Sequence, residues 1–111
     1  MTTRALADAV LEAFATSDLG AVERLVAADA TVWGTDDGEH WSDRAGFVAA
    51  LDAMRSLKLS ASWREPPLVG DGWAAGVALY RAGGGPPMET RVTLVFEDGR
   101  LVHGHFSVTS G

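Results

Sequence analysis

The order of hydrophobic periods constrains this chain most: helical spacing fills the first half and strand spacing the second. Leu6, Val10 and Phe14 recur every four residues with Ala7 and Leu11 beside them, which predicts a helix from about Thr3 to Thr16. Ser17-Asp18 offers an N-cap for a second, shorter helix with the stripe Val22, Leu25 and Val26. Asp29-Ala30 ends that helix, and Ala30 to Trp33 is a short strand. Gly34, Asp36, Asp37 and Gly38 break both periods, so Gly34 to Trp41 is a loop. Ser42 or Asp43 caps a third helix with Phe47, Leu51, Met54 and Leu57 on its buried face.

From Leu59 the period becomes two. Leu59, Ala61 and Trp63 alternate with Ser60, Ser62 and Arg64 in a half-buried strand that Pro66-Pro67 ends. Gly70-Asp71-Gly72 is a turn, and Trp73 to Tyr80 is apolar on both faces, as in a central strand. Gly83 to Pro87 is a hairpin loop between that strand and a long one, Met88 to Phe96. Glu97-Asp98-Gly99-Arg100 turns into the last strand, Leu101 to Val108. Three helices followed by a meander of strands imply an α+β fold: a strongly curved, mostly antiparallel sheet around helices, with a cavity between.

Composition narrows the partners. The 111 residues make one domain, 1–111, with 47% apolar residues for its core. Cysteine is absent, which removes thiolate chemistry and disulfides and fits a cytoplasmic location. Asp8 and Glu12 interrupt the first apolar residues, so no signal-peptide core is expected. The longest apolar run, Trp73 to Tyr80, falls short of the roughly 20 residues that span a bilayer. A net charge of −6 repels phosphate backbones and anionic lipid, so neither nucleic acid nor membrane is an expected partner. A small apolar or aromatic molecule, or another protein chain, suits this surface better.

Several segments, in order, resemble the SnoaL-like branch of the NTF2-like superfamily. Ala13 through Val32 is similar to its opening, with a Ser-Asp-Leu turn and an Ala-Asp-Ala-Thr-Val stretch. Trp33-Gly34-Thr35-Asp36, Glu39-x-Trp41 and the third helix continue the resemblance. Arg91-x-Thr93, Asp98-Gly99 and His103-Gly104-His105-Phe106-Ser107 close it. The resemblance implies a cone with helices in its mouth, and a homodimer formed through the sheet. It does not imply one reaction, because the superfamily includes polyketide cyclases, a ketosteroid isomerase, dehydratases and proteins without catalysis. The isomerase uses an Asp base, with a Tyr and a protonated Asp on the oxyanion. The matching positions here carry Gly34, Val10 and Val92, which argues against steroid isomerisation.

Alternation places His103, His105 and Ser107 on one face of the last strand, with Leu101 beginning the same row. The neighbouring strand can set Arg91 and Thr93 beside them. This polar row is expected to face the cavity, near Asp36, Glu39 and Trp41. There His105 or Asp36 would move a proton and Arg91 would steady developing negative charge. A buried histidine often only satisfies a neighbouring acid or carbonyl, and Ser107 lacks any base-serine-oxyanion pattern. His103 and His105 lie two apart on a strand, but neither His40 nor Asp36 stands at a recognisable spacing for a third ligand, so no metal and no cofactor is expected. Trp33 and Trp41 are expected to line the pocket, bordered by Phe14, Phe47, Leu51 and Met54. Trp63 and Trp73 suit core or interface. Three functions remain open: a small-molecule binder, a proton-transfer enzyme (cyclase, isomerase or dehydratase), and a non-catalytic dimeric interaction module.

Overall fold

A computed structural model describes residues 1–109. Helix α1 spans Thr3–Thr16 and begins where the Thr2 hydroxyl accepts from the Ala5 amide at 3.1 Å. It stops at Ser17, whose left-handed backbone (φ 53°) reverses the chain. Asp18 caps α2, Leu19–Leu25, by accepting from Ala21 N at 3.2 Å. Asp43, one of the two expected caps, accepts from Gly46 N at 2.8 Å and starts α3, Arg44–Met54. A 3-10 turn, Arg55–Leu57, follows. The Arg44 guanidinium donates to the carbonyls of Glu23 and Val26 at 3.1 and 3.0 Å, which ties the end of α2 to the start of α3.

The strands are β1 Val26–Trp33, β2 His40–Trp41, β3 Leu59–Trp63, β4 Leu68–Gly70, β5 Trp73–Ala82, β6 Met88–Glu97 and β7 Arg100–Val108. They form one curved, open sheet in the order β2-β1-β7-β6-β5-β3, with β4 also paired to β5. All pairings are antiparallel except β1 with β7, so the sheet is mixed. β1 starts at Val26 rather than Ala30, because Val26 pairs with Leu101 and is fully buried, and that tertiary pairing overrides the local helical stripe. The β2 pairing lies at the end of the segment expected as loop: Val32 opposes Trp41 and Trp33 opposes His40. β4 is likewise a strand that the Pro66-Pro67 break concealed.

Asp98 and Gly99 both have positive φ (52° and 76°), the geometry that a two-residue hairpin turn needs to match strand twist. Just beyond it Val95 pairs with His103 but Phe96 with Leu101, so Val102 is an extra residue in β7. This bulge moves Leu101 out of the His103 row and into the buried row. The inner row of β6 is Thr90, Val92, Leu94 and Phe96, all buried. Ala74 and Ala78 of β5 and Leu101 and Gly104 of β7 continue it, and Leu6, Val10 and Phe14 of α1 with Phe47 and Leu51 of α3 cover it. Met54 and Leu57, expected on the buried face of the third helix, are 40% and 52% exposed: Met54 is the last residue of α3, and Leu57 lies beyond it in the 3-10 turn, where the α-helical spacing no longer holds.

Candidate functional site

The inner face of the sheet, the C-terminal end of α1 and the Phe47-Leu51-Met54 side of α3 do not close on each other. They leave a partly open cavity of about 170 Å³. Its floor is aromatic. Phe14 meets Phe47 at 4.6 Å between ring centroids and Phe106 at 5.4 Å, and Trp41 meets Phe47 edge-on at 5.3 Å. Val32, Leu51 and Leu59 form the walls. Trp33, Met54, Met88 and Val108, each between 40% and 45% exposed, stand at the rim.

Two small residues make room for this arrangement. A Cβ at Gly104 would lie 3.2 Å from the Phe106 ring, so glycine lets that ring turn back over the strand. A Cβ at Gly34 would lie 2.7 Å from Glu39 Cβ. Glycine there allows the mouth segment to fold tightly, with Gly34 N donating to Glu39 O at 2.6 Å.

Few polar groups border the cavity. The Glu39 carboxylate accepts from Asp36 N at 2.7 Å, and the Thr35 hydroxyl accepts from Val108 N at 2.7 Å. Both hold the mouth together. Thr90 and Tyr80 are the polar side chains deeper on the sheet. Burial of Tyr80 pushes its phenol well above the ordinary value, with no hydrogen bond contributing. No lysine, arginine or histidine lines the cavity.

The expected polar row lies on the other face of the sheet. Thr93 opposes His105, Arg91 opposes Ser107, and Val95 opposes His103. None of Arg91, Thr93, His103, His105 or Ser107 lines the cavity. The reason is the neighbouring row: Val92, Leu94 and Phe96 carry far more apolar surface than Arg91, Thr93 and Val95, so burial takes the aliphatic row and the polar one goes to solvent. On that outer face Thr31 Oγ1 and His103 Nδ1 lie 2.8 Å apart, and at the cavity rim the Trp33 ring stacks on His40 at 3.8 Å. Asp36 is exposed and does not line the cavity, although its neighbours Thr35 and Glu39 do. Trp33, Glu39, Trp41, Phe14, Phe47 and Met54 do border it. Trp63 packs against the core and donates to Asp8 Oδ1 at 2.8 Å, while Trp73 is 43% exposed. Among the described residues no group of three His, Asp or Glu side chains is arranged to hold a metal. Nor is any helix among them long and apolar enough to cross a membrane.

Tyr80, Thr90, Met88 and Leu59 border the cavity without having been expected there. The alternation of β5 carried a signal for Tyr80, since Ala74, Ala78 and Tyr80 share one face and the first two are fully buried. Val10 and Val92 are buried at 0% and 1% exposure, and neither side chain carries a hydrogen-bond donor.

Comparison with known proteins follows the same outline. A protein of unknown function with a cystatin-like fold from Xanthomonas campestris superposes with a TM-score of 0.79 at 17% identity, over 99% of this chain and 92% of that one. A protein provisionally named as a ketosteroid isomerase from Kribbella flavida gives 0.81 at 16% identity, over 98% and 78%. One provisionally named as a polyketide cyclase from Sinorhizobium meliloti gives 0.75 at 19%, over 92% and 93%. At these identities the likeness establishes the fold alone. A search of curated proteins finds no significant match. The model of the SnoaL-like domain matches residues 7–104, from α1 into the middle of β7, and the chain therefore belongs to the SnoaL-like family.

Proposed function

We propose that this protein binds a small apolar or aromatic molecule in the cavity between its helices and its sheet. The observation that carries the reading is the lining itself: Phe14, Trp41, Phe47 and Phe106 come from four different elements and leave about 170 Å³ open between them. An apolar cavity of about 150 Å³ accepts benzene, so this one suits a ligand built on a single ring. A proton-transfer step by His105 or Asp36 with Arg91 has less support, since those three side chains do not share the cavity. The lack of cysteine suits action in a reducing cytoplasm.

Calorimetric titration with toluene and acetophenone tests this reading. The wild-type protein is expected to bind. Val108→Trp is expected to block the rim and abolish binding while keeping the native circular dichroism, because Val108 is 40% exposed and its amide bond to Thr35 does not involve the side chain. Binding unaffected by Val108→Trp would place the ligand elsewhere.

A homodimer through the outer sheet face is a second reading, favoured by Trp73 and Leu68 standing 43% and 71% exposed. Sedimentation velocity would show a dimer that Trp73→Glu dissociates. A monomer at all concentrations would dismiss it.

A further inference from the structure

Resting on the proposed binding role, we infer that the cavity selects a neutral ligand carrying one hydrogen-bond acceptor, held by the Tyr80 phenol, and rejects the corresponding carboxylate. Three observations converge. First, Tyr80 lines the cavity, and its hydroxyl takes part in none of the side-chain hydrogen bonds among the described residues. No fully buried side-chain nitrogen or oxygen among the described residues lacks a partner, so this hydroxyl is not completely sealed, and it belongs to a residue that borders the cavity. Second, burial keeps the phenol protonated, so it is a donor throughout the neutral range. Third, no cation lines the cavity, and the one ionisable acid there, Glu39, stands at the mouth on a protein of charge −6. An anion entering would lose its hydration without a countercharge and pass a like charge on the way.

Placement strengthens the assignment. Tyr80 opposes Met88 and Thr90 opposes Ala78, so the two hydroxyl-bearing residues sit on adjacent strands, two register steps apart, on the inner face. The aromatic floor of Phe14, Phe47 and Phe106 takes the ring of the ligand. Tyr80 then takes a carbonyl or ether oxygen at its edge.

Fluorine NMR titrations of the full chain with three matched probes decide it. They are 4-fluoroacetophenone (neutral, with an acceptor), 4-fluorotoluene (neutral, without one) and 4-fluorobenzoate (anionic). The ketone is expected to bind best, and the benzoate at least about tenfold more weakly. Tyr80→Phe is expected to weaken the ketone about fivefold and leave the toluene unchanged, the difference one neutral hydrogen bond makes. Thr90→Val serves as a control for general loss of polarity and is expected to change the ketone less than Tyr80→Phe. Benzoate binding as tightly as ketone overturns the charge selection. Equal weakening of ketone and toluene by Tyr80→Phe overturns the hydrogen bond. In both cases the cavity reading survives. If none of the three neutral or charged probes binds, the cavity reading itself fails, and the selection with it.

Discussion

Leu94→Ala and Thr93→Ala, one residue apart on β6, measure which face of the sheet is the interior. Leu94 is completely buried and lies over Gly104, opposite it in the register. Truncation to alanine removes three carbons at about 0.8 kcal/mol each, roughly 2.4 kcal/mol in transfer. Incomplete collapse of the packed neighbours adds a cavity contribution, which brings the expected loss to about 3–4 kcal/mol. Thr93 points outward and is exposed, so its truncation is limited to a change of strand propensity, under about 1 kcal/mol. Urea denaturation followed by circular dichroism gives both values. Repeating it at two protein concentrations separates folding from any subunit association, since only the latter depends on concentration. A Thr93→Ala cost equal to that of Leu94→Ala would refute the assignment of faces, and with it the exclusion of His105 and Arg91 from the cavity.

Further outcomes follow from local geometry. Gly34→Ala should destabilise by about 1–3 kcal/mol in the same denaturation assay, because the new Cβ would lie 2.7 Å from Glu39 Cβ; a neutral result would mean that the mouth segment is loose. Asp43→Ala removes the α3 cap and should cost about 1 kcal/mol, with Asp43→Asn or Asp43→Ser recovering most of it. Tyr80 is the only tyrosine, so ultraviolet absorbance of tyrosinate reports it alone. The native protein should show no tyrosinate as pH rises past the ordinary value of 10, and ionisation should appear together with unfolding. The raised native value means that this stabilisation is complete below pH 10 and falls away as pH climbs above it, because only the unfolded chain releases the proton there. A native tyrosinate signal at about pH 10 would show that the ring is not buried in the apolar lining.

The residues that fix local backbone geometry were the ones most legible in the sequence. The four-residue spacing of Leu6, Val10 and Phe14 marks α1 from Thr3 to Thr16, and Asp98-Gly99 marks the last hairpin. Alternation also identified the two rows of β6 and most of β7 correctly. What it could not supply was the direction of each row, since period two is the same from either side. The comparison of Val92, Leu94 and Phe96 with Arg91 and Thr93 held the answer in its total apolar surface. The Val102 bulge was invisible because it adds one residue without any turn chemistry, and it moves Leu101 to the other face. Of the candidate site, the tryptophans and Glu39 were legible from the mouth segment. For Tyr80 and Thr90 alternation gave the row but not the cavity, because only the curvature of the sheet brings the end of that row near Phe14 and Phe47.

The central claim is that the inner face of the cone, rather than the histidine-bearing outer face, receives the ligand. Intermolecular nuclear Overhauser contacts between bound 4-fluoroacetophenone and carbon-13-labelled protein test it most directly. Contacts are expected to the rings of Phe14, Phe47 and Phe106 and none to His103, His105 or Thr93. Contacts to the imidazoles in place of the phenylalanines would contradict it.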